Sequence, residues 1–330
     1  ESRIYAEDPY RGFLPSTGRL VRYRPPAEGT FGDITVRNDT GVYEGGEISL
    51  YYDPMIAKLC THAPTREKAI DAMAAALDEF RIEGINHNIA FLTAIMHNAK
   101  FRSGKITTAF IAEEYPDGFH GRAIDKAMER RFIATAVAAK LMRTGRAARI
   151  SGTLNGIHRA SEKFTASIGH TNYAVTHAHL HDGKIQQNID GEIYSAEAKW
   201  HLGDPVMHLR EKDGEYAVQI SRHAGSYRVR QGGAAATITV RSPHAAELAA
   251  LMPVKAAADT SKFLLCPMPG LVVSVNVQEG QDVKAGESLA VVEAMKMENV
   301  LTAERDGKIK KVNAKKGDSL ALDDVILEFA

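Results

Sequence analysis

Cysteine is nearly absent from this chain. Cys60 and Cys266 are the two in 330 residues, and they fall in regions of different character, which argues against a disulfide scaffold and for a reducing compartment. Net charge is absent too: 41 Lys and Arg balance 41 Asp and Glu, so no global field points to nucleic acid. No apolar run is long enough to span a bilayer. Aromatics are sparse at 7%. Trp200, Tyr194, Tyr216 and Tyr227 lie on predicted strands without interleaved basic residues, so they read as barrel core rather than a base-stacking platform. The sequence also lacks a Gly-x-x-x-x-Gly-Lys phosphate loop and a glycine fingerprint opening a helix. What remains is a chain with 44% hydrophobic residues, enough to bury sizeable cores in two or three domains.

The most informative feature that is present is Ala294-Met295-Lys296-Met297. A lysine between two flexible thioethers suits enzymatic modification: the ammonium is free to be acylated and the methionines offer an adaptable apolar grip. The sequence around it is built twice. A shift of 37 positions carries Gly270–Val275 onto Gly307–Val312 and Val277–Val283 onto Ala314–Leu320. Each copy alternates apolar and other residues and then turns at a glycine, as a half-buried strand does. Two such copies predict a flattened barrel with quasi-twofold symmetry. Lys296 falls at their junction, on an exposed hairpin.

Upstream, Leu20–Tyr23 and Ile34–Arg37 read as short strands. Pro64-Thr65 starts a predicted helix carrying Ile70, Met73, Leu77 and Phe80, and a second helix follows Asn88. After Tyr115-Pro116-Asp117-Gly118-Phe119, residues 124–144 contain no proline or glycine and predict one long helix. From Phe164 to Val240 the period becomes two, with Asp182-Gly183, Asp190-Gly191 and Asp213-Gly214 as expected hairpin turns. Residues 253–262 lack periodicity and read as a linker, which would hold a tethered group near its targets.

Ala-Met-Lys-Met in the middle of a small duplicated barrel, with Pro267-Met268-Pro269-Gly270 upstream, resembles the biotin carboxyl carrier family. The lipoyl carriers share that fold but usually flank their lysine with Asp and Ala. Residues 1–112 resemble the C-terminal lobe of biotin carboxylases through Arg3–Pro9, Phe13–Gly18, Tyr51–Leu59 and Asn86–Leu92. Read in order, the chain is similar to the α subunits of biotin-dependent acyl-CoA carboxylases, with a middle segment most like the propionyl-CoA carboxylase branch.

That resemblance implies a multidomain α+β fold. Its expected parts are a carboxylase lobe (1–112), a helix-plus-antiparallel-barrel linking domain (113–252), a linker (253–262) and a biotinyl/lipoyl-like flattened barrel (263–330). It implies covalent biotin on Lys296, with Ala294, Met295 and Met297 as the recognition residues. It implies a catalytic role for Arg3, whose guanidinium would stabilise negative charge on the ureido oxygen, and assigns no metal ligand. The expected partners are a carboxyltransferase β subunit, with the long helix of the middle domain as the contact, and a biotin protein ligase. A hetero-oligomer in a bacterial cytoplasm or a mitochondrial matrix is expected, with no nucleic acid and no membrane. The family's ATP-grasp region, which uses ATP, Mg and bicarbonate, has no counterpart in these residues. With Glu1 in place of an initiator methionine, the chain reads as part of a longer polypeptide. Substrates other than propionyl-CoA (methylcrotonyl-CoA or geranyl-CoA), or a purely carrier and assembly role, stay open at this point.

Three further features carry weaker signals. His177, His179 and His181 alternate along a predicted strand, so they should share one face; that arrangement suits either zinc or copper or merely an exposed polar row. Arg143, Arg146 and Arg149 follow the long helix and suit its C-terminal dipole, an acidic partner or the phosphates of coenzyme A. Gly232-Gly233-Ala234-Ala235-Ala236 reads as a loop without chemistry.

Overall fold

The structure, a computed structural model, describes residues 1–151, 161–253, 262–295 and 297–330. Lys296 and nearly all of the predicted linker lie outside the described residues. Three large buried clusters, with a smaller one around Phe91, Ala94 and Phe119, organise the rest.

The first forms around a sheet of β1 (Ser2–Tyr5), β2 (Gly29–Phe31), β3 (Ile34–Thr40) and β4 (Met55–His62), in the order β1-β4-β3-β2. Helix α1 (Arg66–Glu79) packs on it through Ile70, Met73 and Leu77, which recur at helical spacing. Thr65 caps α1 by accepting from the Lys68 N–H. Helix α2 (Ile89–His97) follows.

In the middle of the chain, α3 (Lys126–Ala147) is capped by Asp125. Eight antiparallel strands close a barrel: β5 (Phe164–Ile168), β6 (Thr171–His181), β7 (Lys184–Ile189), β8 (Glu192–Lys199), β9 (Val206–Glu211), β10 (Gly214–His223), β11 (Ser226–Gln231) and β12 (Ala234–Arg241). Every residue of α3 from Arg131 to Ala139 is buried, and the helix touches strands around the barrel. A helix buried on all sides is a core element, and here its alanines keep it thin enough for the barrel to wrap. This corrects the expectation of the helix as a partner contact, because its central turns are enclosed. A buried polar node fixes it in place. Glu211 receives Arg131 Nε and Nη2 at 2.6 and 2.9 Å and the Tyr194 hydroxyl at 2.6 Å. The Arg131 guanidinium also lies 3.3 Å from the centre of the Tyr216 ring.

Asp182-Gly183 and Asp190-Gly191 make the expected turns, all four at positive φ. The third turn differs. Glu211 pairs with Gly214, so Lys212-Asp213 turns and Gly214 already belongs to β10. Gly232-Gly233 is a hairpin tip that seats on the lobe: a Cβ on Gly233 would meet the Ala90 carbonyl oxygen at 2.7 Å and the Ala94 nitrogen at 2.8 Å.

The third cluster lies between two four-stranded sheets. One contains β13 (Phe263–Leu265), β18 (Val325–Phe329), β17 (Gly307–Val312) and the short Asp282–Val283. The other contains β16 (Met297–Thr302), β15 (Ser288–Ala294), β14 (Gly270–Val275) and the short Ser319–Leu320. Gly270 pairs with Leu320, and Gly307 pairs with Val283. The two pairs are equivalent under the 37-residue shift, so each repeat completes its sheet with a short strand from the other.

Candidate functional site: the carrier hairpin and the lobe it meets

The hairpin of β15 and β16 is set by register. Ala294 pairs with Met297, which leaves a two-residue connection made of Met295 and Lys296. Met295 has φ near +50°, the left-handed conformation that tight hairpin connections demand. Ala294 is buried, while Met297 is 40% exposed.

The Pro-Met-Pro-Gly segment supports the hairpin from beneath. Met268 is buried; its carbonyl accepts from the Cys266 thiol at 3.0 Å, and its sulfur lies 3.9 Å from Asn299 Nδ2. Gly270 lets β14 run hard against β15, because a Cβ there would lie 2.5 Å from Val292 Cγ1 and 2.8 Å from the Glu293 oxygen.

The tip of the hairpin meets the lobe. The Met295 N–H donates to the Leu50 carbonyl at 2.8 Å, and the Met295 side chain, 3% exposed, joins the lobe's apolar cluster. Leu50 opens a loop, with Tyr51 and Tyr52 exposed, that leads into β4. In this loop the Met55 N–H donates to Asp53 at 2.8 Å. Nearby, burial and the Asp53 charge push the Glu7 carboxyl up.

Arg3 lies on the adjoining strand β1, opposite Lys58 of β4, with Tyr5 opposite Met55. Its guanidinium is exposed, with Tyr5 and then Glu1 holding its pKa up; Glu1 accepts from Nε at 3.3 Å. The motif residues around it tie the segment down. Asn88 accepts from the Tyr5 N–H at 2.9 Å and donates to the Arg3 carbonyl at 3.2 Å. Asn86 donates to Asp8 at 3.1 Å, and its N–H donates to Ser16 at 2.9 Å. These long-range bonds carry no signature in local sequence.

The histidine row is exposed, but a bulge displaces it, with His177 at positive φ. His179 approaches Glu162 at 4.0 Å and His181 approaches Asp182 at 3.1 Å. Among the described residues no group of three metal-ligating side chains converges. Arg143 and Arg146 lie in the last turns of α3, where cations favour the helix dipole.

Comparison with known proteins finds three family models along the chain. A family model for the biotin carboxylase C-terminal domain matches residues 1–113. A model for the propionyl-coenzyme A carboxylase BT domain matches 132–255, and one described as biotin-requiring enzyme matches 263–329. The chain resembles the biotin-dependent carboxylase α chains. It is similar to the propionyl-CoA carboxylase alpha chain of Ruegeria pomeroyi, at 50% identity over 345 residues, covering 100% of this chain and 51% of that one. The mitochondrial propionyl-CoA carboxylase alpha chain of Homo sapiens is 35% identical over 335 residues, covering 100% of this chain and 46% of that one. A mitochondrial methylcrotonoyl-CoA carboxylase subunit alpha of Mus musculus is 28% identical over 355 residues, covering 100% and 46%. The chain thus spans about half the length of the curated relatives it matches.

The hairpin fits the cofactor that this resemblance implies. The connection at the tip leaves one position between a methionine anchored on the lobe and an exposed one, in a domain whose family requires biotin.

Proposed function

We propose that this chain is the biotin-carrying part of a propionyl-CoA carboxylase α subunit, with biotin joined to Lys296 and recognised through Ala294, Met295 and Met297. The observation that carries the reading is the register of the hairpin: Ala294 pairs with Met297, so the strands leave Met295 and one further position between them. Bound biotin supplies a ureido nitrogen that accepts and releases a carboxyl group.

The residues of this chain do the positioning. Met295 anchors the tip to Leu50. Gly270 and Met268 hold the base of the hairpin. Arg3, on the neighbouring strand, offers an exposed guanidinium to stabilise negative charge on a ureido oxygen. ATP, bicarbonate and magnesium would be used by an ATP-grasp region beyond these residues. A carboxyltransferase β subunit would complete the conversion of propionyl-CoA to methylmalonyl-CoA in a hetero-oligomer, and a biotin protein ligase would load Lys296. A bacterial cytoplasm or a mitochondrial matrix suits the two free thiols. The higher identity to propionyl-CoA carboxylase chains favours that substrate over methylcrotonyl-CoA or geranyl-CoA.

The test is the mass of the Lys296 peptide after co-expression with a biotin protein ligase. A biotin-sized increment is expected, and Lys296→Arg should abolish it while leaving the far-ultraviolet circular dichroism unchanged. An unmodified lysine, or avidin labelling that survives in the variant, would overturn the reading.

A further inference from the structure

A cavity of about 700 Å³ opens between the lobe and the outer face of the barrel. Strand alternation explains its chemistry. Tyr227, Val229 and Gln231 of β11 are buried on the barrel side, so Arg228 and Arg230 share the outer face, about 7 Å apart. Their cross-strand partners are Ser221 and Gln219 on β10. From the lobe comes Arg81, 6% exposed, fixed by Glu83 and by Gln219 Oε1 at 3.2 Å.

The carboxylates of this cavity are already engaged. Asp8 accepts from the Tyr10 N–H and from Asn86, Asp78 accepts from the Gly232 N–H, and Glu83 holds Arg81. The side chains of Arg228 and Arg230, in contrast, form no hydrogen bond or ion pair among the described residues. Burial, with Arg228 and Arg81 alongside, lowers the pKa of Arg230 to about 10. Crowded guanidinium groups in a partly buried cleft are costly unless an anion joins them. His87 lines the same cavity with its Nδ1 buried and unpartnered among the described residues. Burial, then Arg230, hold its ring neutral, with a pKa of about 3.

We propose that this cleft binds a phosphate-bearing anion through Arg81, Arg228 and Arg230. Guanidinium forks match phosphate oxygens in geometry as well as charge. Ile82, Ile85 and Ile89 line the cavity beside them and would receive the apolar part of an organic phosphate. The volume is within the range of small-molecule sites. Because the arginines come from both the lobe and the barrel, the anion would clamp the two together.

The test is calorimetric titration of the chain with inorganic pyrophosphate and with phenyl phosphate. Both should bind saturably and compete for one site. Arg228→Gln and Arg230→Gln should each weaken binding by about tenfold or more, and Arg230→Lys should restore part of the loss. The unliganded variants should melt no lower than the parent, since each removes an uncompensated charge from the cleft. Tighter phenyl phosphate would identify an organic ester as the natural ligand class, and tighter pyrophosphate an inorganic one. No saturable binding of either probe, or binding undiminished in the double variant, would overturn the proposal.

Discussion

Gly270 shows how one residue shapes the carrier. Its φ is not in the left-handed region, so the constraint is space rather than backbone freedom. A methyl group there would collide with the Val292 side chain and with the Glu293 carbonyl oxygen, which is backbone and cannot swing away. Strand β14 would have to move off β15, and the hairpin base would lose its fit over Met268. Gly270→Ala is therefore expected to destabilise the carrier barrel by about 1–3 kcal/mol, the usual cost of overpacking. Urea unfolding of the chain, followed by a probe in the carrier, checks this; an unshifted midpoint would show that β14 gives way freely. Lys296→Arg should behave oppositely, losing the label but not stability.

At the scale of elements, α3 and its barrel depend on one buried ion pair. Arg131 and Glu211 are both largely enclosed, with side chains 5% and 12% exposed. The Tyr194 hydroxyl also bonds to Glu211, and burial with that bond pushes the phenol's pKa up. Removing only the arginine strands a buried carboxylate, so Arg131→Met should cost about 3–5 kcal/mol. Adding Glu211→Gln should recover much of that, which a double-mutant cycle in denaturant would measure. The elements themselves were largely legible. The long helix followed from an uninterrupted run of helix formers, and the strands from their period of two. The threading of helix through barrel was not, since burial on every side of an alanine-rich helix leaves no stripe to read. The Lys212-Asp213 turn was missed because Asp-Gly is the stronger local signal. Gly232-Gly233 looked idle because its purpose lies in helix α2, far away in sequence. Of the candidate site, Ala-Met-Lys-Met and the duplication were visible as local patterns, whereas the Leu50 anchor is a backbone carbonyl and left no trace.

Across the whole molecule, the lobe and barrel are joined by polar contacts as well as by Gly233. Gln219 Nε2 donates to the carbonyls of Asp78 and Phe80 at 2.9 and 3.0 Å, and the Gly232 N–H donates to the Asp78 carboxyl at 2.8 Å. Burial raises the Asp78 pKa to about 7, with the Gly232 bond and Arg122 opposing and the Glu79 charge assisting. The folded joint thus holds its proton more tightly than the unfolded chain, where the carboxyl titrates near 4. Stability from this group is fully present below about pH 4 and is lost as pH rises through about 7, roughly 4 kcal/mol in all. Asp78→Asn keeps an oxygen for the Gly232 N–H and removes the ionisation. The ratio of Gly232 amide protection in the parent to that in the variant should therefore fall between pH 5 and pH 8. Comparing the two proteins at each pH cancels the intrinsic exchange rate. A ratio flat across that interval would mean that Asp78 stays ionised in the joint, held by Gly232 and Arg122 against the cost of its burial.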